Sequence, residues 1–166
     1  TKAYLAQITV LSLFTIFLSL KLKKVRLGEF KDILEEILSI PEKISSIIKE
    51  KSKIEEISKE FKGEENLFFI GRNIDYAVCM EASLKLKEIS YIHCEAYAAG
   101  ELKHGTISLV TDGVPVFALC NVDSLYEKMI SNIKEVKARG ADVIMICREK
   151  DADKIPEEIA DDIILL

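Results

Sequence analysis

Apolar and polar positions alternate along this chain in three different rhythms. Between Lys2 and Lys21 there is no charged residue, and an uncharged run of about 18 residues is near the length at which a helix can span a bilayer. Gln7, Thr9, Ser12, Thr15 and Ser19 interrupt the run, the last three at helical spacing along one side. That polar stripe predicts a helix packed inside a larger protein body over one facing lipid. From Glu29 onward Phe30, Ile33, Leu34, Ile37 and Leu38 repeat at i, i+3, i+4, i+7 and i+8, predicting amphipathic helices over Glu29 to Glu50 and Lys51 to Lys62. Pro41 falls in mid-pattern and predicts a new helix beginning at its first turn, with Ser39 as a cap. The Lys/Glu-rich stretch from Lys49 to Glu65 reads as a solvated helix face and connector.

After Gly63 the rhythm changes. Asn66 to Ile70 is a short apolar run ending at Gly71, and a helical pattern follows from Asp75 to Ile89. Val114 to Leu119, Asp142 to Cys147 and Asp162 to Leu166 are further strand candidates, with a helix from Ser124 to Ala138 stopped by Gly140. Strands and helices alternating at this spacing predict an α/β fold, a parallel sheet flanked by helices in three layers. Continuous apolarity within the strands fits a sheet covered on both faces. Such sheets bind ligands beyond the carboxyl ends of their strands, here Gly71-Arg72-Asn73 and the loops after Leu119 and Cys147.

Composition narrows the partners. The 166 residues are 49% hydrophobic and 31% charged, which suits a packed core. Twenty-eight acidic against 23 basic side chains give a formal charge of −5, so a nucleic-acid groove is not expected. Cys79, Cys94, Cys120 and Cys147 are scattered without a C-x-x-C pair, which suggests neither a zinc site nor a redox pair. Free thiols in apolar runs point to a reducing, cytoplasmic setting, with no membrane association.

The chemistry is concentrated between Glu81 and Gly105. On a helix, Glu81, Lys85 and Glu88 fall at i, i+4 and i+7 on one face. The spacing allows an exposed charge ladder worth a few tenths of a kcal/mol per pair. It equally allows a site, in which Lys85 holds Glu88 ionised and aimed to take a proton from a carbon beside a carbonyl. Both histidines of the chain, His93 and His104, lie in this segment. Gly105 permits a tight turn that would display His104 on a loop, whereas His93, between Ile92 and Cys94, reads as structural. Tyr91 and Tyr97 read as packing residues with tethered hydroxyls.

The run Lys85-Leu-Lys-Glu-Ile-Ser-Tyr-Ile-His, continuing through Glu95-Ala-Tyr-Ala-Ala-Gly-Glu-Leu-Lys-His-Gly105, resembles the signature of the isomerase region of glutamine–fructose-6-phosphate aminotransferases. The resemblance extends more loosely to Thr1-Lys2-Ala3, to Phe69-Ile-Gly-Arg72 and to Ser131-Asn-Ile-Lys-Glu-Val-Lys-Ala-Arg-Gly140. That region of the family has two sugar-isomerase (SIS) lobes. The resemblance implies that residues 1–57 are the terminal helices of a preceding lobe with a connector. Residues 58–166 would then be a second SIS domain, truncated at its C-terminus.

The resemblance implies conversion of fructose 6-phosphate and glutamine-derived ammonia to glucosamine 6-phosphate, in a homodimer and with no metal or other cofactor. It implies Glu88 as the base between C1 and C2 with Lys85 beside it, and His104 as the group that assists ring opening in the neighbouring subunit's site. Thr1 and Arg72 are its candidate sugar-phosphate contacts. The family's Ser/Thr-rich phosphate loop, Schiff-base lysine and glutaminase domain would lie outside these residues, so the fragment alone is expected to be inactive. Three positions depart from the family pattern: Asn73 for a usual Gly, Cys94 for Ala, and Thr106 for Pro. Asn tolerates positive φ better than most residues, so the first change is expected to be mild. Two other readings stay open on the sequence: a phosphosugar-binding module of a regulator, and a phosphosugar isomerase or deglycase without a glutaminase domain.

Overall fold

The computed structural model describes residues 1–24, 26–49 and 51–166. It divides into two compact units, Thr1–Lys51 and Ser52–Leu166.

The first unit holds two helices, α1 (Lys2–Lys21) and α2 (Leu27–Lys49). α1 is long and apolar enough to cross a membrane. The burial expected for it is not supplied by this chain, because none of its residues is buried. Its polar groups turn inward on the helix itself, the Thr9 and Thr15 hydroxyls donating to the Leu5 and Leu11 carbonyls at 2.8 Å. α2 runs through Pro41 without a break, contrary to the new helix expected there, and Ser39 is not a cap. Its hydroxyl donates to the Glu36 carbonyl at 2.7 Å. A proline inside a helix removes the bond to the carbonyl four residues back, yet the apolar residues on both sides of Pro41 keep one helical register. Glu50, the expected end of this helix, lies outside the described residues.

α3 (Lys51–Glu60) starts on the last residue of the first unit and buries Ile57, and the second unit then alternates strands and helices. β1 (Asn66–Gly71), α4 (Ile74–Ser90), β2 (His93–Ala98), β3 (Pro115–Cys120), α5 (Tyr126–Lys137), β4 (Asp142–Cys147) and β5 (Asp162–Leu165) follow in order. All pairings are parallel, and the sheet order is β2-β1-β3-β4-β5. The order reverses between β1 and β3, and a crevice at such a reversal is where sheets of this kind hold ligands. One face carries Phe68, Ile70, Val116, Ala118, Val143 and Met145 against Met129, Ile133 and Val136 of α5. The other carries Leu67, Phe69, Cys94 and Leu119 against Cys79, Ala82 and Leu86 of α4.

The strand missing from the sequence expectation is β2. The sequence pattern places His93–Ala98 within a long crossover. The structure makes it an edge strand, in register with β1 from Asn66↔His93 to Gly71↔Ala98. Tyr91 also departs from expectation: it is 92% exposed, because it caps α4 in the left-handed conformation with φ 63° and turns its ring outward.

Candidate active site

Gly71 at the end of β1, Asn73 and Asp75 set the start of α4. A side chain on Gly71 would place a Cβ 2.7 Å from the Asp75 carbonyl carbon and 2.8 Å from the Tyr76 nitrogen, so the helix can approach only because glycine is there. Asn73 takes φ 55° and ψ −122°, outside the left-handed helical region and in a conformation that glycine adopts more readily. Asp75, in the first turn, is buried, and its carboxylate accepts the Asn121 backbone N–H at 2.7 Å. This contact closes the crevice between the ends of β1 and β3. It also satisfies an amide that would otherwise be lost to water.

α4 then descends along the sheet with Cys79 and Ser83 buried. Glu81, Lys85 and Glu88 share a different side. Lys85 Nζ donates to Glu88 Oε2 at 2.6 Å and lies 3.8 Å from Glu81 Oε1. The hydrogen bond from Lys85 holds the Glu88 carboxyl below its ordinary value, against a smaller opposing effect of desolvation. The same bond raises Lys85. The result is an ionised carboxylate, half exposed near the end of a rigid helix. Around this stripe Ile74, Val78, Leu84 and Ile89 are exposed apolar residues.

His104 ends a single 3₁₀ turn, Leu102–His104, after β2. Leu102 is buried among the residues of the α5 face and anchors the turn. The backbone bonds Glu101 N to Ala98 O and His104 N to Glu101 O wind it, and Gly105 leaves it at φ 149°. The imidazole is exposed. No hydrogen bond or ion pair among the described residues joins Glu88 to His104. Glu88 rides on the helix that covers one face of the sheet, and His104 follows a residue packed on the other. β2, about 17 Å long at about 3.3 Å per residue, separates them along the chain.

His93 opens β2, its Nδ1 3.1 Å from Asn66 Oδ1 and its Nε2 3.5 Å from Glu95 Oε1. The Tyr97 hydroxyl is tethered to Glu95. Arg72 points across the end of the sheet. Its Nη1 donates to Asn132 Oδ1 at 2.7 Å, and Asn132, 5% exposed on α5, donates in turn to Glu135 Oε2 at 3.3 Å. Thr1 precedes α1 and makes no side-chain capping bond. All four cysteines are free and buried. Desolvation pushes Cys79 and Cys120 up to about 12 and Cys94 to about 11, so these thiols stay protonated.

Sequence reasoning missed Asp75 and Asn132. Asn132 did carry a signal: it is a polar residue among Met129, Ile130, Ile133 and Val136 on the core side of α5, where a buried amide requires a partner.

The SIS domain family matches residues 60–158. A glutamine–fructose-6-phosphate aminotransferase (isomerizing) from Caldanaerobacter subterraneus is 48% identical over 151 residues, covering 90% of this chain and 24% of that protein. The protein of the same name from Fusobacterium nucleatum is 44% identical over 164 residues, covering 99% of this chain and 26% of its own length. The chain therefore spans about a quarter of the curated relatives it matches. Among solved structures, the C-terminal domain of glucosamine-fructose-6-phosphate aminotransferase from Francisella tularensis has a TM-score of 0.94 at 34% identity, covering all of this chain and 46% of that one. A solved Escherichia coli protein shares the fold alone, at 14% identity and a TM-score of 0.59, covering 85% of this chain and 74% of that one. With β1 to β4, α4 and α5 all inside the matched residues, the chain belongs to the SIS domain family.

Proposed function

We propose that this chain is part of the isomerase region of a glutamine–fructose-6-phosphate aminotransferase, the enzyme that makes glucosamine 6-phosphate from fructose 6-phosphate and glutamine-derived ammonia. The observation that carries the reading is the Lys85–Glu88 contact at 2.6 Å near the end of α4, within a chain 44–48% identical to proteins of that name. Interconverting a ketose and an aldose needs one carboxylate to move a proton between C1 and C2. Glu88 is such a carboxylate. Lys85 keeps it ionised and restricts its direction, and with no redox change the step calls for no cofactor.

His104 assists sugar ring opening in this reading. Its place two residues after Leu102, which packs on the α5 face while Glu88 rides on α4, supports its acting in the site of a second copy. A homodimer supplies that copy. Thr1 is a candidate phosphate contact. The exposed apolar residues of α1 and those around Glu88 are surfaces that the rest of such a protein covers, which favours a cytoplasmic enzyme over a membrane-embedded helix.

The test is glutamine-dependent formation of glucosamine 6-phosphate from fructose 6-phosphate by the full-length gene product. Turnover supports the reading, and its absence in the intact protein overturns it.

A further inference from the structure

The Arg72 guanidinium lies directly over Gly100. A Cβ built on that glycine would sit 2.7 Å from Nη1, 3.0 Å from Nη2 and 3.1 Å from Cζ. The Nη1–Nη2 edge of the guanidinium therefore lies against Gly100, and a side chain there would displace it. The same Nη1 donates to Asn132, which is buried on α5 and held by Glu135. The adjoining backbone is tied in the same place, where Ala99 N donates to Gly71 O at 2.9 Å. Four residues beyond Gly100 comes His104, on the turn that starts at Ala98 O and is anchored by Leu102. A planar, permanently charged group with donors in a fixed fork suits this clamp, and a flexible lysine does not.

We propose that Arg72 is a positioning residue for His104: together with Asn132 and Gly100 it clamps the turn 99–105, so that the imidazole is presented at a fixed place for sugar ring opening. The proposal rests on the aminotransferase reading of His104. It differs from the expectation that Arg72 contacts the sugar phosphate in giving Nη1 its partner within the chain, at Asn132. Opening a furanose moves the proton of the C2 hydroxyl away and delivers one to the ring oxygen, breaking the bond between C2 and that oxygen. Fructose 6-phosphate needs this step. 5-Deoxyfructose 6-phosphate has no 5-hydroxyl, cannot close that ring, and presents the open chain directly to Glu88.

The experiment compares the two sugars with the full-length protein and its Arg72→Met, Gly100→Ala, His104→Asn and Glu88→Gln variants. Arg72→Met and Gly100→Ala are expected to lower kcat for fructose 6-phosphate by about 100-fold, the size that a displacement of about 1 Å costs. KM is expected to stay within about twofold and kcat for the 5-deoxy sugar near wild type. The double variant Arg72→Met/His104→Asn is expected to be no slower than His104→Asn alone, since residues acting through one group are not additive. Equal loss on both sugars, loss in KM alone, or full additivity would overturn the clamp. Gly100→Ala keeps the arginine in the sequence but pushes its guanidinium aside, and so tests the clamp from the opposite element if Arg72→Met does not fold. Failure of the aminotransferase reading is separately visible: the unmodified protein would turn over neither sugar, or His104→Asn would not discriminate between them.

Discussion

The Asp75 carboxylate accepts the Asn121 backbone N–H at 2.7 Å, joining the first turn of α4 to the residue after β3 across the point where the strand order reverses. A negative side chain in the first turn also suits the positive end of the helix dipole. Replacing Asp75 with Ala leaves the amide without its partner and is expected to cost about 1–3 kcal/mol. Asp75→Asn keeps an acceptor and costs less. The urea midpoint at unchanged slope checks both.

Glu88→Gln keeps the shape of the side chain and removes its basicity. Isomerisation is expected to fall by about 100- to 10,000-fold, while sugar-phosphate binding stays within about tenfold, because proton transfer enters the chemical step and not ground-state binding. Near-normal turnover of this variant would remove Glu88 from its assigned role.

Lys85→Met tests how that base is kept ionised. The hydrogen bond from Lys85 lowers Glu88 below its ordinary 4.5, with desolvation opposing. A carboxyl lowered in this way stays charged above 4.5 and takes up its proton only as the pH falls through the lowered value. Without Lys85 the opposing desolvation remains, so the acid limb of kcat/KM is expected to move to higher pH. A limb that stays where it was would show that the 2.6 Å contact is only a surface pair.

His93 gives the contrast within the same segment. Its ring meets Asn66 and Glu95 at an exposed edge of the sheet. His93→Gln is expected to change stability by less than about 0.5 kcal/mol and to leave turnover intact, whereas His104→Asn slows fructose 6-phosphate turnover. Equal losses from the two would contradict the distinction between them.

What the sequence discloses follows the strength of its periodic signal. Four of the five strands are continuous apolar runs, and their positions are legible within a residue or two. β2 is not, because an edge strand can carry His93, Glu95 and Tyr97 facing partly to solvent, and its six residues read as a string of chemistry instead of an element. Pro41 misleads for the opposite reason: the local rule predicts a break, and α2 runs through it. The Glu81, Lys85 and Glu88 alignment follows from helical spacing alone, and the contacts at 3.8 and 2.6 Å agree with it. The partner of Arg72 does not follow, since Asn132 is 60 residues away and only the packing of α5 brings it near.

The all-parallel sheet also governs how this chain must fold. With no hairpin among its strands, every ladder waits for a crossover: Asn66 meets His93 across 27 residues, and Phe68 meets Val116 across 48. Pairings this distant pay loop closure before they repay it and slow the search. On a ribosome, β1 emerges early and stays single until β2 follows, and its inner neighbour β3 arrives later still. During that interval the apolar strand NLFFIG is a surface a chaperone would meet.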